Sequence, residues 1–327
     1  MPTKEQIEKT ARFSALMTKD FFEIEMPRLK TFASIAREYG VKPLRVQRYA
    51  KKVGFEYTPF GRGKCNDDFF SVDTMEAFYV AGFIAGDGNL SSVRLKDPHI
   101  KHRTDDGGKS ISIKLASKDR NFVSKIRDIL GIENPIFDDV STEHLLPDSR
   151  YKSASYGSSI YCTSPQMFDD LARFNITPNK SLTLEFPEWM KSHPLRHHFI
   201  RGYYDADGCW SFRYNKDKNK QDTKDRQIRC SVRGTKNFLT DIRSILETDL
   251  TIRKKTGDIP LSGGIHKLEY AGNQITKKIS DYLYKDATLY LERKHLIATS
   301  HGKAAPMTPT ESVIQYLIDN SLPFPTR

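Results

Sequence analysis

The sequence predicts an α+β protein made of two similar repeats, with a small all-α segment in front of them. Three patterns occur in the same order in both repeats: an apolar helix that ends in Asp-Gly, strands of alternating polarity, and an amphipathic helix. The Asp-Gly motifs are 120 residues apart (207 − 87), and the phenylalanines Phe122 and Phe238 of the amphipathic helices are 116 apart (238 − 122). We therefore expect two pseudo-symmetric α-β-β-α-β-β-α units in tandem.

The strand prediction depends on alternation with a period of two. Three apolar residues of the first repeat share one face of a strand, with polar residues on the other face, and three of the second repeat do the same. These residues are Ile111, Ile113 and Leu115, then Ile228, Cys230 and Val232. Each sheet should therefore bury one face and expose the other.

The repeats and their flanks divide the chain into four expected segments. Residues 1–66 are basic and helix-patterned, residues 67–187 form the first repeat, and residues 188–300 form the second. The tail, residues 301–327, contains four prolines and is expected to hold one short helix near residues 311–318 and otherwise little structure.

Composition narrows the class of protein. The 327 residues carry a net charge of +11, which is typical of a chain that binds a polyanion such as nucleic acid. No apolar run is long enough to cross a membrane and no signal core precedes residue 19, so we expect a cytoplasmic protein (prokaryotic or phage-encoded) or an organellar one. The four cysteines contain no Cys-x-x-Cys pair, which argues against a zinc knuckle.

The two apolar helices carry small residues at a spacing of four. Gly82 and Gly86 share a face of the first helix, as Gly202 and Ala206 do in the second. Because glycine costs about 1 kcal/mol in a helix interior, its presence indicates that two helix backbones approach closely. Such packing would bring the two helix C-termini side by side.

Each of these helices ends in an aspartate, Asp87 in the first and Asp207 in the second. Two carboxylates at two helix C-termini repel each other unless cations compensate their charge, because the helix dipoles add negative potential. A divalent cation with oxygen ligands suits this place, and Mg²⁺ is the first candidate. Metal ions held between two carboxylates, on a protein whose positive charge attracts nucleic acid, are suited to phosphodiester hydrolysis.

Both helices resemble the LAGLIDADG signature of homing endonucleases. The second copy ends in Asp-Ala-Asp-Gly (205–208), whereas the first reads Ala85-Gly86-Asp87-Gly88 and lacks the earlier acid. The resemblance covers roughly residues 67–300 and implies a saddle of antiparallel sheets over double-stranded DNA. It also implies that Asp87 and Asp207 bind Mg²⁺ (or a similar cation such as Mn²⁺), assisted by the backbone carbonyls of Gly86 and Ala206.

The same family carries a basic residue late in each repeat. Lys180 lies 93 residues after Asp87 (180 − 87), and Lys294 lies 87 after Asp207 (294 − 207). The similar spacing supports matching roles, either to hold water or to stabilise charge on the phosphate.

Two regions are predicted to contact DNA. On the polar faces of the sheets, arginine suits guanine edges and lysine suits phosphates. The candidates there are Arg94, Lys96, Lys114, Arg213, Arg229 and Arg233. In the N-terminal segment, residues 32–53 have helix-turn-helix spacing, with Ala36 in one helix, Gly40 at the turn and Val46 in the next. That second helix, about 43–52, presents Arg45, Gln47, Arg48, Lys51 and Lys52.

The favoured function is a site-specific, metal-dependent DNA endonuclease that works as a monomer on a long asymmetric site. The alternative is an intron maturase, with intron RNA as a partner, or a DNA-binding regulator that uses the same fold without cleavage. Such relatives often lose a catalytic acid, so the presence of Asp87 and Asp207 together with Lys180 and Lys294 favours the enzyme. An intein-embedded enzyme is disfavoured because no His-Asn junction ends the chain.

Overall fold

The structure is a computed structural model that divides the chain into two compact units, Met1–Gly63 and Lys64–Arg327. The described residues are 13, 16–29, 32–55, 64–92, 108–141, 144–145, 151–152, 155–214 and 226–300. Two of the predicted DNA contacts, Arg94 and Lys96, and the expected tail helix lie outside these residues.

The N-terminal unit contains three described helices, α1 (Lys19–Leu29), α2 (Phe32–Glu38) and α3 (Pro43–Lys52). Gly40 has φ +66° between α2 and α3, a left-handed conformation that glycine adopts at low cost. Ala36 on α2 and Val46 on α3 are fully buried in an apolar cluster with residues such as Phe22 and Ile35. The small residue and the glycine therefore let α2 and α3 cross closely.

The first helix of the second unit is α4 (Met75–Asp87), whose N-cap Thr74 accepts a hydrogen bond from the backbone N–H of Ala77. The rest of the first repeat follows in the order β1 (Gly88–Ser92), β2 (Lys109–Ala116), α5 (Arg120–Ile129), β3 (Phe137–Ser141), β4 (His144–Leu145), β5 (Tyr151–Lys152), β6 (Ser155–Thr163) and α6 (Pro165–Asp170). Strands β1, β2, β6 and β3 form an antiparallel sheet in that order, and β4 pairs with β5 as a small separate hairpin.

The second repeat has the same order of core elements, without a described counterpart of the β4–β5 hairpin and with one more helix at its end. It consists of α7 (Arg196–Asp207), β7 (Gly208–Tyr214), β8 (Arg226–Gly234), α8 (Lys236–Asp249), β9 (Leu261–Ser262), β10 (Ile265–Ala271), α9 (Asn273–Leu283) and α10 (Glu292–Thr299). Its sheet order, β7-β8-β10-β9, is also antiparallel. The predicted α+β class and the two α-β-β-α-β-β-α repeats are confirmed.

The strand alternation that predicted the sheets also places the core. Ile111, Ile113, Ile228, Cys230 and Val232 are each at most 2% exposed, on the sheet faces covered by helices. Helices α4 and α7 lie in the middle of the second unit and are buried along most of their length. Among the described residues, no helix combines the length and apolar character needed to cross a lipid bilayer.

Candidate active site

The central helices α4 and α7 touch backbone to backbone through their glycines. A Cβ added to Gly82 would overlap the carbonyl oxygen of Phe199, and one added to Gly202 would overlap the carbonyl oxygen of Tyr79. Further along the helices, a Cβ on Gly86 would lie 2.5 Å from that of Ala206. The close approach expected from the small-residue spacing is therefore present, and it is reciprocal in the two helices.

Gly88 and Gly208 follow these helices for a steric reason. Helix-terminal glycine usually serves because it adopts a left-handed conformation. Here Gly88 and Gly208 have φ −80° and begin strands β1 and β7. A Cβ at Gly88 would lie 2.8 Å from the carbonyl oxygen of Ile84, and one at Gly208 would overlap that of Tyr204. The glycines are needed for space at the helix-to-strand turn.

Asp87 and Asp207 are the last residues of α4 and α7, and both are exposed. Asp207 reaches the other helix, since one carboxylate oxygen lies 3.3 Å from the point where a Cβ on Gly86 would be. Partial desolvation raises the pKa of both carboxyl groups, and the charge of Asp87 raises the pKa of Asp207 further. The two carboxylates therefore form a crowded negative pair.

Lys180 supplies one of the two cations next to this pair. It begins a 3-10 turn, Lys180–Leu182, and is 6% exposed. Its Nζ donates a hydrogen bond to the backbone carbonyl of Gly88, directly after Asp87. Burial lowers the pKa of Lys180, whereas the charges of Asp207 and Asp87 act in the opposite direction.

Lys294 supplies the other cation, from the first turn of α10. It is also 6% exposed, and its Nζ donates to the carbonyl oxygens of Ala206 at 2.6 Å and Tyr204 at 3.2 Å. Burial and the neighbouring Arg293 lower the pKa of Lys294 to about 8. The structure thus brings together the four residues predicted to be catalytic, although one lysine lies on a 3-10 turn and the other on an α-helix.

The donors at this place fit a hard divalent cation. Within the described part of the chain, no three His, Cys, Asp or Glu side chains come together as a metal-binding group. Mg²⁺, however, is commonly held by one or two carboxylates and keeps several waters. Desolvation raises the pKa of both Asp87 and Asp207, and the charge of Asp87 raises that of Asp207 further, so a cation would stabilise the two ionised carboxylates. The carbonyl of Ala206 already accepts from Lys294, but a carbonyl oxygen has a second lone pair.

Two polar side chains of α7 that the sequence analysis did not assign to the site, Asp205 and Tyr203, lie next to it. Asp205 is fully buried, and its carboxylate accepts from Tyr79 Oη at 2.7 Å, Tyr284 Oη at 2.8 Å and the N–H of Leu291 at 2.9 Å. Tyr203, one helical turn before Asp207, donates its hydroxyl proton to the backbone carbonyl of Arg233 at 2.8 Å and lies close enough to the Asp207 carboxylate to lower its pKa. The motif itself contained the signal for Asp205, because an acid in a buried helix requires partners.

The predicted DNA contacts on the sheets lie on strands, and two of them, Lys114 and Arg233, directly follow the strand partners of Gly88 and Gly208. Lys114 on β2 is exposed and forms an ion pair with Asp139 at 2.6 Å, and the half-buried Arg229 on β8 lies 3.2 Å from Glu269. Arg233 on β8 is exposed. Arg213 belongs to β7. Lys114, Arg229 and Arg233 alternate with the buried apolar residues, so they lie on the sheet faces turned away from the core.

The remaining predicted contacts all lie on α3 of the N-terminal unit. Four of them are exposed and one is half-buried: Gln47, Arg48, Lys51, Lys52 and, half-buried, Arg45. Lys52 Nζ lies 5.9 Å from the ring centre of Tyr49 on the same helix. One helix therefore presents a row of basic side chains to solvent.

Comparisons with known proteins found similar folds but no similar sequence. No family model matches the sequence, and neither does any curated protein. Among solved structures, the chain is similar to the LAGLIDADG meganuclease I-AabMI bound to uncleaved DNA, with 11% identity and a TM-score of 0.42 over 75% of this chain and 98% of that one. The I-SmaMI homing endonuclease bound to cleaved DNA gives 12% identity and a TM-score of 0.43 over 71% and 86%. The I-LtrWI homing endonuclease bound to target DNA gives 10% identity and a TM-score of 0.37 over 78% and 91%.

Proposed function

We propose that this protein is a site-specific endonuclease that cleaves both strands of DNA with the help of divalent metal ions. The observation that supports this most directly is the meeting of Asp87 and Asp207 at two helix C-termini, with the buried Lys180 and Lys294 beside them. Two carboxylates that can hold metal ions and two ammonium groups suit hydrolysis of a phosphodiester, whose transition state carries extra negative charge.

Each side chain has a role that follows from its position. Asp87 and Asp207 would hold Mg²⁺, which supplies Lewis-acid stabilisation of the attacked phosphate when bound. Lys180 and Lys294 would place positive charge next to the phosphate oxygens. Their hydrogen bonds to the carbonyls of Gly88 and Ala206 fix both ammonium groups at the ends of α4 and α7. Because the two halves differ in sequence, one chain would act as a monomer on an asymmetric site.

Binding of DNA would involve both units. The polar faces of the two sheets would contact base edges and phosphates, with Arg233 and Lys114 as exposed candidates. The N-terminal unit would add a second contact through α3, as a module attached to the two repeats. Its exposed basic residues suit phosphates and the major groove. Under the alternative function, a maturase, the ligand of the same basic chain would be intron RNA.

The test is cleavage of a plasmid library of random inserts in Mg²⁺, with wild type compared to Asp87→Asn and Asp207→Asn. A matched control is Asp281→Asn, which removes an exposed carboxylate whose described ion pair is with Lys277, four residues earlier. We expect wild type and the control to cut one long recurring sequence, and both active-site variants to lose cleavage while they retain DNA binding.

Two other outcomes would change the assignment. If wild type does not cut but binds intron RNA tightly in a salt-sensitive manner, the protein is a maturase. If it binds one DNA sequence without cutting, it is a regulator. In either case the two aspartate variants would bind as wild type does, because the carboxylates would have no role in that function.

A further inference from the structure

We propose that each repeat positions the active-site lysine of the other repeat, with Asp119 and Thr235 as the positioning residues. This inference rests on the proposed function only in that it takes Lys180 and Lys294 as active-site groups. The contacts themselves are independent of that function. They concern two short segments, the 3-10 turn that begins at Lys180 and the first turn of α10.

The first contact runs from the first repeat to the segment that carries Lys294. Asp119 is 6% exposed, and both of its carboxylate oxygens accept from Nε of Arg293, at 2.9 and 3.1 Å. Arg293 directly precedes Lys294. A second cross-repeat pair joins Lys125 Nζ on α5 to Glu292 at 2.7 Å. The first turn of α10 is therefore held from the first repeat by two charged pairs.

The second contact runs in the opposite direction. The hydroxyl of Thr235 in the second repeat donates to the carbonyl oxygen of Leu184 at 2.5 Å. The N–H of Leu184 in turn donates to the carbonyl of Lys180 at 2.8 Å, which closes the turn that carries this lysine. The amide of Asn237 also reaches Glu185 at 3.2 Å. The turn that carries Lys180 is therefore held from the second repeat.

Asp119 and Thr235 occupy equivalent positions in the two repeats. They are 116 residues apart (235 − 119), the same offset as Phe122 and Phe238 (238 − 122). Each is the N-cap residue of its repeat's amphipathic helix, α5 or α8. The side chain of Thr235 also caps its own helix, whereas that of Asp119 makes no capping hydrogen bond. A buried aspartate at an N-cap that does not cap indicates that its carboxylate serves the contact with Arg293 instead.

The crossed arrangement has a functional consequence. Each lysine reaches the central helix of its own repeat, Lys180 through Gly88 and Lys294 through Ala206, but its segment is fixed by the partner repeat. Neither lysine is correctly held unless both repeats are packed together. Loss of one positioning residue should therefore loosen one lysine only, the one in the opposite repeat.

The test is amide hydrogen exchange by mass spectrometry on the full-length protein without DNA, for Asp119→Ala and Thr235→Val. Asp119→Ala should raise exchange in the peptide that covers α10 by roughly tenfold, because hydrogen bonds to charged groups are the stronger ones. Thr235→Val should raise exchange in the turn that begins at Lys180 by about fivefold. In each variant the other segment should exchange as in wild type.

Two variants serve as controls, and a third gives a graded test. Asp128→Asn removes an acid of α5 whose ion-pair partner is the adjacent Arg127, so exchange in α10 should not change. Thr235→Ser keeps the hydroxyl and should restore wild-type exchange at the Lys180 turn. Asn237→Leu leaves the cap of α8 in place and removes the contact with Glu185, so it should loosen the same turn to a smaller extent.

The result that overturns the proposal is the absence of crossed specificity. If either variant loosens both lysine segments, or neither, then Asp119 and Thr235 act only through general stability. If the crossed pattern appears in a protein that cuts no DNA, the positioning stands and the endonuclease function fails. If the protein does cut, Asp119→Ala should slow one strand more than the other and accumulate nicked plasmid, with kcat reduced and KM unchanged.

Discussion

Nζ of Lys294 lies 2.6 Å from the carbonyl oxygen of Ala206, the residue directly before Asp207. This hydrogen bond places a buried ammonium group at the negative end of α7, where the helix dipole favours a cation. Burial nevertheless dominates and lowers the pKa of Lys294 to about 8. The charge on this lysine is therefore sensitive to pH just above neutrality.

The first prediction concerns the pH dependence of cleavage. Lys294 is charged below pH 8 and loses its proton as the pH rises through about 8, so the cleavage rate at saturating Mg²⁺ should fall there. Lys294→Arg keeps its charge at all these pH values. It should cut more slowly at pH 7 because it is larger, but with no decrease in rate up to about pH 10. If the cleavage rate of both proteins decreased identically with pH, the decrease would come from the titration of a group other than Lys294.

The second prediction concerns the loss of folding stability caused by the paired carboxylates, Asp87 and Asp207. The folded-state pKa of Asp207 is raised, so the folded state binds its proton more tightly than the unfolded state. Stability from this group is present at low pH and is lost as the pH rises through the raised pKa. At pH 7 without divalent metal, Asp207→Asn should therefore melt about 2 °C above wild type.

Addition of Mg²⁺ should reverse that order. A ligand that binds only the folded state raises its stability. Thermal scans with Mg²⁺ should raise the melting temperature of wild type by more than that of Asp207→Asn. Equal shifts in the two proteins would argue against Asp207 as a metal ligand.

The sequence predicted the elements that depend on local periodicity. The period-two pattern of Ile111 and Ile113 placed β2, and the expected helix from about residue 43 to 52 is α3 (Pro43–Lys52). Gly82 and Gly202 indicated the close helix pair, because glycine destabilises a helix interior and is expected there only where a larger side chain would not fit.

Local periodicity could not identify which distant groups meet. Spacing placed Lys180 and Lys294 in matching positions, but not the carbonyls that accept from them, Gly88 in one case and Ala206 in the other. Those contacts depend on how two chain segments about ninety residues apart fold back on the same helix end. The sequence places Asp205 in the motif but does not identify its hydrogen-bond partners, because two of them, Tyr284 and Leu291, lie far along the chain.

The third prediction tests the contact between α4 and α7. Gly82→Ala would force a methyl group onto the carbonyl oxygen of Phe199. Because that oxygen belongs to the backbone of a packed helix, it cannot move aside as a flexible side chain could. Gly→Ala normally stabilises a helix by about 1 kcal/mol. Here we expect the opposite sign, a loss of about 3 kcal/mol in the free energy of unfolding by urea denaturation. A stabilised Gly82→Ala protein would mean that the helices are further apart than described.

The fourth prediction concerns the buried Asp205. Asp205→Ala leaves the donors of Tyr79, Tyr284 and Leu291 without an acceptor, which should cost about 3 kcal/mol of unfolding free energy. Tyr79→Phe removes one of these three hydrogen bonds and should cost about 1 kcal/mol. Urea denaturation of both variants gives the comparison. Equal losses would mean that the carboxylate depends on Tyr79 alone.

The fifth prediction separates DNA binding by the N-terminal unit from cleavage. Arg48 and Lys52 are exposed on α3, and each phosphate contact should contribute about one unit to the slope of log affinity against log salt. Replacing both with alanine should reduce that slope by about two and weaken binding by more at low salt than at high salt. The single-turnover cleavage rate at saturating protein should not change, because the paired aspartates lie in the other unit. Lys19→Ala, which removes an exposed charge of α1 paired with Glu23, should leave the slope as in wild type, and a similar decrease in that control would assign the effect to net charge alone.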